Sequence, residues 1–157
     1  MVKFNYWLLM LSVAGSFLVL MPAHGREQLG MHAEMQKNGE KYFLKLKMEN
    51  LGTEDLTLYR DGLPWLDRPG NLSLKGIALT ANFEEMMEQG RIHHLLGTIT
   101  LKPTEFIDGS IALDERFADF DQVHAKSSIA ILWSYAPRSP TSKDLNRHSG
   151  VFVIPMP

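Results

Sequence analysis

Histidine, methionine, arginine and tryptophan are the residues of this chain with the greatest chemical reach. Soft thioether and imidazole ligands together suit copper, and Met31-His32-Ala33-Glu34-Met35 gathers both types in one short run. In a strand, however, Met31 and Met35 point to one face and His32 to the other, so the three diverge. The neighbours His93 and His94 diverge for the same reason. His24 offers a sharper version, because a mature chain beginning there would hold the metal with its free amine and its ring. That start requires cleavage after Ala23, which places bulky Met21 where export peptidases prefer a small residue. Cleavage after Gly25 fits better, and His24 and His32 are left as the ligands of an alternative copper-binding reading.

Nucleophilic hydrolysis would draw on Ser142 or Ser149 with His148 and Asp144. Asp144 and His148 would face each other only on a helix, and the surrounding Pro and Ser content argues against one. No Gly-x-Ser-x-Gly elbow is present. The paired carboxylates Asp119 with Asp121, and Asp114 with Glu115, read most simply as solvated corners, with nothing to place them across a cleft. The expectation is a non-enzymatic chain without a cofactor.

The aromatic residues point to binding instead. Trp133 lies on an apolar run and reads as a core centrepiece. Trp65 differs, following Leu63-Pro64 after a turn and standing among Arg60, Asp61, Asp67 and Arg68. Tryptophan beside arginine on a loop is the composition of binding hot spots. Arg138, in Pro137-Arg138-Ser139-Pro140, supplies a second edge, since binding residues gather on loops carried by rigid sheets. The competing expectation is that Trp65 folds back to cap one end of the domain.

The elements that must position these residues are strands. Leu29, Met31, Ala33 and Met35 alternate with polar neighbours. Lys37-Asn38-Gly39-Glu40 is a hairpin signal of the type I′ kind. The return strand sets Tyr42, Leu44, Leu46 and Met48 against Phe43, Lys45, Lys47 and Glu49, one face for a core and one for water. A short strand holds Leu56, Leu58 and Tyr59 and ends at Asp61-Gly62. Another runs from Leu72 to Asn82 with Leu74, Ile77 and Leu79. Residues Phe83 to Gln89 form a turn of helix or a loop. Ile92 to Leu101 is expected to be extended, with Thr98 to Leu101 its strongest strand residues and Pro103 closing it. A further strand covers Gly109 to Leu113, and Asp114 to Gln122 makes a short helical corner. Ser127 to Tyr135 looks buried on both faces. Ala136 to Gly150 reads as a long exposed loop, and Val151 to Ile154 as the closing strand. Short strands punctuated by turns favour an all-β fold, with a two-sheet antiparallel sandwich the economical arrangement.

Composition and the first residues set the compartment. Lys3 precedes an apolar run from Trp7 to Met21, Pro22 breaks it, and Ala23-His24-Gly25 supplies small residues for cleavage. The run is too short for a comfortable span of roughly twenty apolar residues. Residues 1–25 are therefore expected to be a signal peptide, and 26–157 a single secreted or periplasmic domain with no stable membrane span after processing. The chain has no cysteine, so such a domain rests on its apolar core without disulfides. The formal net charge is −2, and the basic residues are scattered rather than striped, which argues against a nucleic-acid partner.

The string Phe43-Leu-Lys-Leu-Lys-Met-Glu-Asn50-Leu-Gly52, continuing to Asp55-Leu-Thr-Leu-Tyr59, resembles the opening of secreted immunoglobulin-like domains. It is similar in outline to BsuPI-type proteinase inhibitor domains. Leu101-Lys-Pro103-Thr-Glu105 to Ile111-Ala-Leu113 resembles the same group's loop-then-strand element, with Thr104 where a glycine is usual. The resemblance implies an immunoglobulin-like antiparallel β-sandwich after an N-terminal signal peptide. It supports, by analogy alone, an exported domain that engages a protein or envelope component, proteinase inhibition being one form.

Overall fold

The computed structural model describes residues 28–66, 72–89, 97–141 and 145–157. The expected leader, with His24, and the residues Arg68, His93, His94, Ser142 and Asp144 lie outside them. The strands are β1 (Leu29–Asn38), β2 (Lys41–Asn50), β3 (Leu56–Tyr59), β4 (Leu72–Ala78), β5 (Thr98–Leu101), β6 (Phe106–Ala112), β7 (Ile129–Tyr135) and β8 (His148–Ile154). The described residues are mostly β, consistent with an all-β fold, and pair in antiparallel ladders ordered β1-β2-β6, β3-β5 and β4-β7-β8.

Alternation dictates the first ladder. β1 and β2 pair without a break from Leu29 opposite Asn50 to Asn38 opposite Lys41, and Leu44, Leu46 and Met48 are fully buried while Lys45 is exposed. The turn differs from expectation in type. Its central residues are Gly39 and Glu40, and only Gly39 has positive φ, at +60°. That is the signature of a II′ turn, which needs glycine at its first central position alone.

The third ladder buries the most apolar side chains of the three. Leu72, Leu74, Gly76 and Ala78 of β4 face inward opposite Tyr135, Trp133, Ile131 and Ile129 of β7. Leu79 is exposed, because β4 ends one residue earlier and its phase puts the even positions inside. Leu132 is likewise exposed at 38 %, so the outward face of β7 is covered less fully than its apolar sequence suggests. The expected long loop is shorter than Ala136 to Gly150, since β8 begins at His148 and pairs with Tyr135. Polar local composition hid that start, and cross-strand pairing overrides it.

Residues 83–89 are not helical. They run as a loop tied by single bridges, Ile77 to Glu85 and Glu88 to Phe117. The helical corner forms as two short pieces, α1 (Leu113–Arg116) and α2 (Phe120–His124), which bury Phe117 and Phe120. All three ladders and this corner contribute to one apolar cluster.

Candidate functional site

Tyr59 ends β3, and its backbone N–H donates to the Arg138 carbonyl at 3.0 Å. This bond joins the β3 end to the segment after β7. It also sets the Arg138 guanidinium over the Tyr59 ring, 5.6 Å from the centroid, within the ~6 Å reach of a cation–π contact. Arg60 follows immediately and opens a 3₁₀ turn, Arg60–Gly62. Its N–H donates to the Gly97 carbonyl at 3.0 Å. The structure thus brings two of the arginines expected from sequence, both exposed, onto neighbouring segments, with Arg138 resting on the exposed Tyr59.

The turn is fixed from below. Gly62 is buried, and its carbonyl accepts the Tyr135 hydroxyl at 3.0 Å. Burial holds the Tyr135 phenol well above its ordinary pKa, so it remains the donor. The Leu66 N–H then donates to the Leu63 carbonyl at 3.1 Å, turning the chain at Pro64-Trp65.

Trp65 does not join the rim as an exposed anchor. Its indole lies on Gly109 of β6, where an added Cβ would sit 2.6 Å from Cε2 and nearer still to Cγ and Cδ2. Gly109 stands opposite Leu46, on the inward side of the ladder. Trp65 is half-buried and packs on the apolar cluster, the arrangement of a residue folded back onto the domain. Trp133 behaves alike, buried with its ring against Gly150, where a Cβ would fall 2.8 Å from Nε1.

Sequence reasoning missed the partners of these residues. From sequence Tyr59 is only a strand residue, yet in the fold it is the platform for Arg138. Gly109 and Gly150 carried a readable signal, since an isolated glycine inside a strand marks a close approach. Asn50 is the other omission. It is fully buried, its amide donates to the Glu54 carbonyl at 2.7 Å and the Leu101 carbonyl at 2.9 Å, and its Oδ1 accepts the Gly52 N–H at 2.9 Å. One side chain therefore holds the turn after β2 to the end of β5.

His32 is exposed on β1 opposite Lys47, whereas Met31 and Met35 face the cluster. Among the described residues no group of three His, Cys, Asp or Glu side chains is placed to hold a metal ion. His148 and Ser149 are successive residues of β8 and point to opposite faces. Desolvation lowers the His148 pKa below the ordinary imidazole value. No protein-family model matches the chain, and the comparison with curated proteins finds no relative.

Proposed function

We propose that this chain is an exported, non-enzymatic domain, an immunoglobulin-like sandwich behind a cleaved leader, that binds a protein or envelope component through Tyr59, Arg60 and Arg138. The observation that carries this reading is the Arg138 guanidinium held over the exposed Tyr59 ring beside Arg60. Tyrosine supplies rigid contact area at little entropic cost and arginine supplies directional charge, and both are enriched in hot spots. Two guanidinium groups on one rim suit a partner surface bearing carboxylates. The export signal in residues 1–25 and the lack of cysteine fit a bacterial envelope, where blocking a proteinase is one use of such a rim.

The test is photo-crosslinking in an exporting bacterial host, using the full chain with a photoreactive residue at Thr98, exposed and opposite Tyr59 on β5, or, as control, at Lys45. The expected result is a protein adduct from position 98 alone, lost when Arg60→Glu or Arg138→Glu reverses the local charge. Processing to a chain that starts at Arg26 is expected from N-terminal sequencing. Equal adducts from both positions, none from 98, or an adduct that survives both charge reversals would overturn the rim.

A further inference from the structure

Sheet edges are where β proteins recruit other strands, so folds cover, charge or shorten them. Each described edge but one is managed here. β1 exposes His32, Glu34, Gln36 and Lys37, and β6 exposes Asp108. The free side of β4 is occupied by the loop after it, through the Ala78 N–H to the Glu84 carbonyl at 2.8 Å and the Met86 N–H to the Gly76 carbonyl at 2.7 Å. β3 and β5 have four residues each. β8 is different. Its seven residues contain no Lys, Arg, Asp, Glu or Pro, and its pairing with β7 is continuous, without a bulge. Among the described residues nothing pairs with its outer side.

The outward face beside that edge is apolar. Val151 and Val153 are 60 % and 61 % exposed, and Leu132, opposite Val151, is 38 % exposed. The end of the strand is held in place, with His124 Nε2 at 2.9 Å from the Pro155 carbonyl and the Met156 N–H donating to Ser128 Oγ at 3.0 Å. An extended, rigid, neutral edge loses little entropy on pairing.

We infer that the β8 edge pairs with β8 of a second copy, antiparallel about a two-fold axis through Val151, joining two three-stranded ladders into one continuous sheet. The strand is self-complementary in this register. On the outward face Val151 meets Val151, and Ser149 meets Val153. On the inward face Gly150 meets Phe152, and His148 meets Ile154. No charged residue opposes its like. The nearest charges along the strand, the two Arg147 side chains, stand at opposite ends, about 26 Å apart at ~3.3 Å per residue. The two Lys75 residues in the Val151 row, each paired with Glu85, stand about 24 Å apart at ~4.8 Å per strand, and both separations exceed the ~8 Å Debye length. A single strand pair of about 23 Å makes a small interface, so the dimer is reversible and depends on concentration. This inference is independent of the rim around Tyr59.

The absence of cysteine makes the test clean. Val151→Cys places two thiols face to face on the axis, whereas Ser149→Cys places them about 13 Å apart, beyond the ~7 Å Cα limit for a disulfide. Both positions are exposed, so neither substitution disturbs the core. The mature chain is expected to move from one chain mass towards two in sedimentation between about 10 μM and 1 mM, the range of weak strand contacts. Under mild oxidant Val151→Cys is expected to form covalent dimer at least tenfold faster than Ser149→Cys, and Val151→Lys to remain monomeric. A single-chain mass at every concentration, equal oxidation rates for the two cysteines, or a dimer that survives Val151→Lys would each overturn the pairing.

Discussion

Replacing Gly109 with alanine changes sign with the identity of residue 65, if the Trp65 indole rests on that glycine. The Gly109 backbone has no positive φ, so an L residue fits its conformation. With Trp65 in place, the new methyl group would come 2.6 Å from Cε2 and closer to Cγ and Cδ2. The ring is wedged between β6 and the apolar cluster, so relief requires an off-rotamer indole or a displaced 3₁₀ turn. Overpacking of that kind costs about 1–3 kcal/mol. Trp65→Ala alone removes a half-buried ring and costs about 2 kcal/mol, roughly half the ~3–5 kcal/mol of a fully buried tryptophan.

In the double variant the obstruction is gone. Gly109→Ala then only restricts the unfolded chain, which stabilises by about 0.4–1 kcal/mol. The coupling between the two sites is therefore about 1.4–4 kcal/mol, well above the ~0.3–0.5 kcal/mol scatter of independent sites. Urea denaturation followed by far-ultraviolet circular dichroism measures all four proteins without relying on tryptophan fluorescence. The melting temperature is expected to fall by about 4 °C per kcal/mol for a domain of this size. A Trp65→Ala protein as stable as the parent, or the same Gly109→Ala penalty in both backgrounds, would show that the indole does not bear on β6.

Asn50 and His148 give two further expectations. Asn50→Ala strands buried carbonyl and amide partners at about 1–3 kcal/mol each. Asn50→Asp is the costlier change at neutral pH, because a carboxylate cannot donate to the Glu54 and Leu101 carbonyls. Its deficit is expected to shrink as urea midpoints are compared at falling pH, since the protonated acid regains one donor. For His148 the folded-state pKa is lowered by desolvation, so the unfolded chain binds the proton first. Stability from this residue is full above the unfolded value of about 6.5 and is lost as pH falls from there through the lower folded value. His148→Gln is expected to flatten the dependence of the urea midpoint between about pH 7 and 5. An unchanged slope would remove His148 as its source.

Local periodicity made the strands legible, and partners distant in sequence set what it could not show. The β1–β2 hairpin follows from alternation alone, and so does the inward face of β2. Its turn type did not, because Asn38-Gly39 supplies the signal while Gly39-Glu40 forms the centre. The start of β8 was hidden because His148-Ser149-Gly150 is polar and flexible by itself and becomes strand only against Trp133, Ser134 and Tyr135. Trp65 shows the same limit at the site. Its neighbours Arg60 and Asp61 suggest exposure, and its resting place is decided by a glycine on a strand not yet formed when that loop is read. Arg60 and Arg138 were legible as loop arginines. Their meeting at Tyr59 depends on a backbone bond between segments that sequence spacing does not connect.

With no disulfide available, cross-links between distant segments fall to a few side chains. Trp65 ties the turn after β3 to β6, and Trp133 covers Gly150 on the neighbouring strand. Tyr135 ties β7 to the carbonyl of Gly62, and Asn50 ties the end of β2 to β5. Two of these four, Trp65 and Tyr135, converge on the short turn that carries Arg60 beside Tyr59. The rim is therefore held to the core by contacts that are not themselves on it. If the rim binds as proposed, substitutions at Trp65 or Tyr135 weaken that binding by moving the platform, in step with lost stability. Substitutions at Arg60 or Arg138 should weaken it with the melting temperature unchanged, and that separation distinguishes support from contact at this surface.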